Sequence, residues 1–250
     1  MDVHYVEHGS GTPLVALHGA GVDHREIEAA IEAVVRQDGL RRIYPDLPGM
    51  GRTRVGSTVT SNADVVRLLG RFVEEVAGPA LILGHSYGGY LARGVAARRP
   101  ELVRGLALLC PIGEQTRDVP GQCVVRSDAD AYDELEADQR ADYDAYFVIR
   151  TRETARRYRD HVLPGQMLVD QETLGRIVGS WPIDLGGDAY SGPTMIIAGR
   201  RDSTAGYAGA VELLDHYPRA TLAVLENAGH ALPHEQPELL RALLAGWPAQ

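Results

Sequence analysis

Three residue types that together can activate a nucleophile occur along this chain, each in a loop that follows an apolar run. Ser86 is the centre of a G-x-S-x-G pattern at 84–88, Asp202 follows a glycine-led turn, and His230 follows an Ala-Gly pair. A serine hydroxyl is a weak nucleophile until an imidazole accepts its proton, and that imidazole needs a carboxylate to hold its tautomer. The sequence therefore predicts nucleophilic catalysis by Ser86, His230 and Asp202.

The segments around Ser86 are those that an exposed catalytic serine requires. The apolar run at 79–83 predicts a buried strand, and residues 90–99 have helical composition. Small residues between the two let the backbone turn sharply, so that the serine oxygen stands above the sheet as a nucleophile elbow.

Other acids and histidines are candidates for the same two roles. The alternatives are Asp184, Asp188 and Glu114 for the acid and His234 for the base. Asp202 and His230 are preferred because a residue just past the carboxyl end of a strand lies on the ligand edge of an open parallel sheet. We expect His18 and His85 to pack and form hydrogen bonds beside the site.

The loop at 18–21 follows another apolar strand and contains two glycines, which can turn backbone N–H groups toward a pocket. Gly19, Gly21 and His24 are therefore candidate substrate-binding residues. Further along the chain, Tyr143, Tyr146 and Phe147 are also candidates, although these aromatic residues could equally form the core of their own segment.

Strand-like and helix-like segments alternate through most of the chain. Predicted strands lie at 3–7, 14–17, 42–46, 79–83, 105–110, 193–198 and 221–225, and predicted helices lie at 26–37, 65–76, 90–99, 207–216 and 237–247. This alternation predicts an α/β fold with a mostly parallel central sheet and helices on both faces.

The composition changes between residues 111 and 191, where apolar strand-like runs give way to charged helical segments. We expect a core domain at 1–111 and 191–250 and a helical lid at 112–190, inserted after the sixth strand. Residues 128–146 are rich in acids and 150–159 are rich in arginines, which predicts neighbouring helices with solvated faces and some cross-pairing.

Composition limits the classes of partner. The 250 residues have a formal net charge of -9, which argues against a nucleic-acid partner, and the 25 basic residues are all arginine, which excludes lysine-dependent mechanisms. Two cysteines predict reduced thiols in a cytoplasmic protein, with no leader or membrane span. We expect a small-molecule substrate and no metal or organic cofactor, and the oligomeric state stays open.

Five sequence blocks occur in the order found in the α/β-hydrolase superfamily, which the chain resembles over nearly its whole length outside the lid. The blocks are L-H-G-A-G at 17–21, D-L-P-G-M-G at 46–51, G-H-S-Y-G-G at 84–89, G-R-R-D at 199–202 and A-G-H at 228–230 with Glu235 and Pro237 behind it. The resemblance is to the lid-bearing branch that includes bacterial esterases and meta-cleavage C–C hydrolases. It implies that the N–H groups of Ala20 and Tyr87 form an oxyanion hole.

Departures from the patterns of individual subfamilies narrow the expected activity. Haloalkane dehalogenases use an aspartate nucleophile and hydroxynitrile lyases of this fold need a lysine, so the chain resembles neither at these positions. Meta-cleavage hydrolases typically have asparagine where this chain has His85. A carboxylic ester or lactone is therefore the expected substrate; the alternatives are C–C bond hydrolysis by the same three residues and a slow or non-catalytic ligand receptor.

Overall fold

A seven-stranded sheet forms the centre of the protein in a computed structural model that describes residues 3–35, 39–112, 118–185 and 190–247. The strands are β1 (Tyr5–Gly9), β2 (Thr12–Leu17), β3 (Leu40–Pro45), β4 (Ala80–His85), β5 (Val103–Leu109), β8 (Thr194–Gly199) and β9 (Ala220–Leu225). A separate small sheet consists of β6 (Arg126–Ser127) and β7 (Ile149–Arg150).

The large sheet has the strand order β1-β3-β2-β4-β5-β8-β9. Only its first neighbours, β1 and β3, run antiparallel, while the remaining neighbouring pairs are parallel. The carboxyl ends of β4, β8 and β9 therefore meet at one edge of the sheet, which brings the loops after them together. This is the predicted α/β fold.

Ten α-helices cover the sheet and its carboxyl edge within the described residues. They are α1 (His24–Glu32), α2 (Asn62–Phe72), α3 (Tyr87–Arg98), α4 (Arg140–Tyr146), α5 (Arg152–Arg157), α6 (Leu163–Gln166), α7 (Gln171–Val178), α8 (Ala208–Glu212), α9 (Leu232–Glu235) and α10 (Pro237–Ala245).

Side chains alternate between two cores, one on each face of the sheet. Along β4, Ile82 packs into the core shared with α2 and α3, whereas Leu81 and Leu83 pack into the core shared with α1 and α10. Successive residues of a strand point to opposite faces, so a run that is apolar throughout is buried on both. Helices on both faces of the sheet are therefore confirmed.

The segment 118–185 contains α4 to α7 and the small sheet, and it has an aromatic core of its own. Tyr143, Phe147 and Tyr158 are fully buried there, packed with Val22 and Ala231 of the larger part of the chain. Glu134 forms ion pairs with three arginines, Arg152, Arg156 and Arg159. The predicted pairing between the acidic and basic stretches is thus present.

Two sequence-based expectations are wrong in detail. The segment follows the fifth strand of the chain, β5, rather than the sixth; between β3 and α2, a stretch that the structure describes throughout, no additional strand forms, and residues 46–52 fold as turns. The Asp46 carboxylate accepts the Arg52 amide at 2.8 Å. A Cβ at Gly51, whose φ is +54°, would lie only 2.3 Å from this carboxylate, so the turn requires glycine there. The first helix, α1, ends at Glu32 rather than at residue 37, which lies outside the described residues.

Membrane-spanning segments were not expected from the sequence. Among the helices of the described residues, none is long and apolar enough to cross a bilayer.

Candidate active site

Ser86 lies at a sharp turn between β4 and α3, and its backbone is strained. Its φ of 52° and ψ of -116° are rarely adopted by residues other than glycine. A Cβ at Gly84 would lie 2.3 Å from the Gly88 carbonyl oxygen, so the turn can close only with glycine at this position. The Ser86 amide donates to the Leu109 carbonyl at 2.9 Å, which anchors the strained residue to β5.

The imidazole of His230 lies directly against the Ser86 hydroxyl. His230 follows β9, and its Nε2 is 2.9 Å from Ser86 Oγ, although 144 residues separate the two in sequence. The other ring nitrogen, Nδ1, is 2.9 Å from Asp202 Oδ2. With Nδ1–H donating to the carboxylate, Nε2 is left to accept the serine proton. The structure therefore brings the three sequence-predicted residues into one row.

Asp202 is fully buried after β8, and backbone amides hold its carboxylate in place. Its Oδ1 accepts from Thr204 N and Ala205 N, each at 2.9 Å, which leaves Oδ2 for His230. Burial alone would raise the pKa of Asp202, but His230 and the two amides outweigh it and hold the pKa below its usual value. The acid is thus ionised at neutral pH.

The loop at 18–21 lies beside the serine, as its glycines predict. A Cβ at Gly19 would lie 3.7 Å from Ser86 Cβ, and a Cβ at Gly88 would lie 2.4 Å from the Leu17 carbonyl oxygen. His18 holds the loop in place through both ring nitrogens. Its Nδ1 lies 2.7 Å from the carbonyl oxygen of Gly19, and its Nε2 accepts from Leu47 N at 2.9 Å. The predicted packing role of His18 is confirmed, and burial lowers its pKa, which keeps the ring neutral.

Ala20 and Tyr87, the two residues expected to supply amide donors, directly follow Gly19 and Ser86 in the chain. Tyr87 is the first residue of α3, so its amide has no acceptor within the helix. The amide of Gly21, next to Ala20, donates to Met50 Sδ at 3.3 Å, and the φ of Gly21 is +78°.

The carboxylate of Glu26 is buried next to His85, the residue that precedes Ser86. Glu26 Oε1 is 3.1 Å from His85 Nδ1 and 3.3 Å from His234 Nε2, and the three side chains are almost completely buried. His85 Nε2 is 3.0 Å from the carbonyl oxygen of His230. His85 therefore packs and forms hydrogen bonds beside the site, as predicted, and His234 contacts Glu26 rather than Ser86.

The other sequence-predicted residues are placed as follows. His24 is the first residue of α1, and its Nδ1 lies 2.7 Å from Asp46 Oδ1. Tyr143 and Phe147 belong to the buried aromatic core, where their rings pack on Tyr158. Tyr146 is half-buried, and its ring centroid is 6.0 Å from that of His230.

The alternative acids do not approach the serine in the described part of the chain. Asp184 is mostly exposed and lies 3.7 Å from Arg98. Glu114 and Asp188 lie outside the described residues.

Two clusters bring potential metal-ligating atoms within 4.8 Å of one another in the described residues: His85, Cys110 and His230, and His4, His24 and Asp46. In the second cluster both imidazoles already contact the Asp46 carboxylate, at 2.8 and 2.7 Å. In the first, Cys110 Sγ donates to the Gly229 carbonyl at 3.6 Å, and burial and Asp202 raise the pKa of its thiol well above the usual value.

Glu26 and Glu235 are the buried acids of the site whose contacts the sequence did not reveal. For Glu26 the sequence does contain an indication of burial, since the residue lies four positions before Ala30 on the apolar stripe of α1, where a charge is unexpected. Glu235 stood in one of the recognised blocks, but nothing in the sequence indicated what it contacts.

The fold and the row of contacts are those of an α/β hydrolase. A profile of the alpha/beta hydrolase family matches residues 14–243, and the chain therefore belongs to that family. It is 22% identical over 248 residues to (E)-2-((N-methylformamido)methylene)succinate hydrolase from Acinetobacter baylyi, in an alignment that covers 98% of this chain and 93% of that protein.

Solved structures agree with this assignment. An alpha/beta superfamily hydrolase from Oenococcus oeni superposes with a TM-score of 0.88 at 26% identity, covering 100% of this chain and 97% of that one. A meta-cleavage product hydrolase from Pseudomonas fluorescens superposes with a TM-score of 0.73 at 23% identity, covering 98% and 93%, and shows the shared fold. The relatives support a hydrolase from an enzyme family that acts on small molecules.

Proposed function

We propose that the protein is a serine hydrolase that cleaves a carboxylic ester or lactone of a small molecule. Ser86 is the nucleophile, His230 the general base and Asp202 the acid that orients it. The observation that carries the proposal is the pair of 2.9 Å contacts that His230 makes, through Nε2 to Ser86 Oγ and through Nδ1 to Asp202 Oδ2. The strained backbone of Ser86 supports it, because strain of this kind occurs at functional sites.

The reaction proceeds in two steps that use the same residues. His230 accepts the Ser86 proton as Oγ attacks the carbonyl carbon, and the imidazolium is stabilised by Asp202. Collapse of the tetrahedral intermediate releases the alcohol, which takes its proton from His230, and leaves an acyl-enzyme. Water, deprotonated by the same imidazole, then releases the acid and restores the serine.

The oxyanion of the intermediate is bound by the N–H groups of Ala20 and Tyr87. The position of Tyr87 at the first residue of α3 supports this role, since its amide lies where the helix leaves donors unsatisfied. The closeness of Gly19 to Ser86 supports the role of Ala20, because it brings the neighbouring loop backbone to the nucleophile. Removing one such donor typically weakens transition-state binding by roughly 3 to 4 kcal/mol.

Residues 112–190 form a lid over a core domain made of residues 1–111 and 191–250. The separate aromatic core of the segment supports this division. Within the lid, Tyr146 contacts the substrate, since its ring lies 6.0 Å from that of His230. Gly19, Gly21 and His24 line the opposite side of the same pocket.

The proposal is tested by turnover of p-nitrophenyl esters of increasing acyl length. We expect the wild-type chain to hydrolyse the short esters and the Ser86→Ala variant to lose the activity. Ser10→Ala is the matched control, because Ser10 lies on an exposed turn between β1 and β2 and its variant should behave as wild type.

Two other outcomes would contradict ester hydrolysis. Turnover of a vinylogous diketone without turnover of any ester would indicate C–C bond hydrolysis by the same residues. Covalent labelling of Ser86 by a fluorophosphonate, without turnover of any activated ester or lactone, would indicate a ligand receptor with this fold.

A further inference from the structure

The carboxylate of Glu235, the last residue of α9, is bound on both sides by backbone amides. Oε1 accepts from Val148 N at 2.6 Å and from Ile149 N at 3.2 Å, and Oε2 accepts from Gly229 N at 2.7 Å. The side chain is only 7% exposed. Three backbone donors on one buried carboxylate make a short, strong and well-oriented contact.

The three donors belong to two different parts of the chain. Gly229 immediately precedes His230, whereas Val148 and Ile149 lie where β7 begins in the segment proposed as a lid. The Val148 side chain also packs closely on the Gly229 backbone, because a Cβ at Gly229 would lie 2.7 Å from Val148 Cγ1. Glu235 therefore joins the loop that carries His230 to the segment that covers it.

We propose that Glu235 is a positioning residue that fastens the lid to the His230 loop, and that this fastening weakens as its carboxyl group ionises. The claim that Glu235 positions His230 for catalysis rests on the proposed function. The claim that Glu235 joins the lid to the His230 loop does not.

The chemistry of the carboxyl group explains the dependence on ionisation. An ionised carboxylate only accepts hydrogen bonds, so both oxygens match N–H donors. Ionisation nevertheless places a charge in a site that is almost completely buried, and the three amides offset only part of the cost of removing that charge from water. Opening the contact to solvent therefore becomes easier once the carboxylate is charged.

The surroundings of Glu235 bring this change near neutral pH. Burial raises the pKa of Glu235 to about 7, although the three backbone donors act in the opposite direction and Asp202 raises it further. The titratable groups that interact with it lie on three other parts of the chain: Asp202 after β8, Tyr146 of α4 and Cys110 after β5. An ionised fraction that rises from about one tenth at pH 6 to about nine tenths at pH 8 follows from a pKa near 7.

Hydrogen exchange tests the inference without any substrate. Exchange of the amides at 148, 149 and 229 is measured at pH 6 and pH 8 and corrected for the intrinsic pH dependence of exchange. In the wild type we expect about tenfold greater protection at pH 6, because the carboxyl group has a pKa of about 7 in the fastened arrangement and 4.5 once exposed, so the fastened arrangement binds the proton more tightly. In Glu235→Gln the pH dependence should disappear, because the amide does not titrate and offers one acceptor only.

Glu238→Gln is the matched control, since Glu238 is on the next helix, has 81% of its side chain exposed and pairs with Arg241 of the same helix. It should keep the wild-type pH dependence. Equal protection at pH 6 and pH 8 in the wild type, or the same pH dependence in Glu235→Gln, would overturn the inference. If Glu235→Gln does not fold, the wild-type comparison at the two pH values still decides.

Activity separates a positioning role from a purely structural one. In the wild type, kcat/KM for an ester should rise between pH 6 and pH 8 less steeply than in Glu235→Gln, with the difference in kcat rather than in KM. An identical pH profile in the two chains would contradict a role in positioning His230. Absence of ester turnover would refute the proposed function and leave the exchange result to decide whether Glu235 fastens the lid.

Discussion

The ring of His85 lies 5.1 Å from the ring of His230, and His85 Nε2 is 3.0 Å from the carbonyl oxygen of the same residue. A carbonyl oxygen only accepts, so Nε2 carries a proton in this contact. The other nitrogen faces the buried carboxylate of Glu26 at 3.1 Å. Burial alone would lower the pKa of His85, but Glu26 and the carbonyl raise it above its usual value. The backbone of His230 thus contacts His85, which is itself paired with the buried Glu26.

The first prediction concerns the removal of this charge. Glu26→Gln should destabilise the protein by about 3 kcal/mol at pH 7, because it leaves His85 and His234 buried without an anion. Burial would raise the pKa of Glu26, but the two histidines hold it well below its usual value. A lowered pKa contributes stability that is present above the unfolded value and lost as pH falls. Urea unfolding at pH 7 and at pH 4 measures the difference.

The difference in stability between wild type and Glu26→Gln should therefore be larger at pH 7 than at pH 4. Glu238→Gln serves as the control and should change stability at neither pH. A Glu26→Gln variant as stable as wild type at pH 7 would show that the buried carboxylate is not ionised.

The second prediction has the opposite sign of pH dependence. The pKa of Glu235 is raised to about 7 from an unfolded value of 4.5, so the folded state binds the proton more tightly. The stability of the wild type relative to Glu235→Gln should fall by about 3 kcal/mol as pH rises from 4.5 to beyond 7. Urea unfolding of both chains at pH 5 and pH 8 provides the comparison, and a difference that grows with pH would refute it.

The third prediction concerns the orientation of the base. Asp202→Asn should lower kcat about ten-thousandfold, because an amide cannot hold His230 in the tautomer that accepts the serine proton. Steady-state ester hydrolysis measures the loss. Asp215→Asn, on an exposed turn before β9, is the matched control and should keep wild-type rates. A loss of less than tenfold in Asp202→Asn would mean that Asp202 is not the orienting acid.

The fourth prediction compares two glycines of the site. A Cβ at Gly88 would meet the Leu17 and His18 carbonyl oxygens at 2.4 and 2.5 Å, whereas a Cβ at Gly21 meets nothing within 4 Å. Gly88→Ala should fail to give folded protein. Gly21→Ala should fold and lose only about 1 to 2 kcal/mol, the penalty of its positive φ. Soluble yield and thermal unfolding measure both, and a stable Gly88→Ala would show that the elbow can open.

The sequence was sufficient to predict that Ser86, Asp202 and His230 come together, for a local reason. Ser86, Asp202 and His230 each follow a short apolar strand and a glycine, and parallel strands bring such loops to one edge. The alternation of elements likewise predicted the parallel sheet. These signals depend on neighbours in sequence, which a single chain displays directly.

What the sequence could not predict depends on contacts between distant segments. Tyr143 and Phe147 were candidates for the pocket, yet they pack on Val22 and Ala231, and no periodicity reveals those partners. The two-residue strands β6 and β7 are too short to show an alternating pattern, so the small sheet was not expected. The bonds of Glu235 to backbone amides leave no trace in the sequence, because an amide has no residue-specific signature.

The central claim is that Ser86 is a nucleophile activated by His230. Intact-protein mass spectrometry after incubation with a fluorophosphonate measures this directly, with peptide mapping to locate the adduct. We predict one adduct for each wild-type chain, on Ser86, and none in Ser86→Ala, while Ser10→Ala labels like the wild type. A wild-type chain that stays unmodified, or an adduct that persists in Ser86→Ala, would contradict the account.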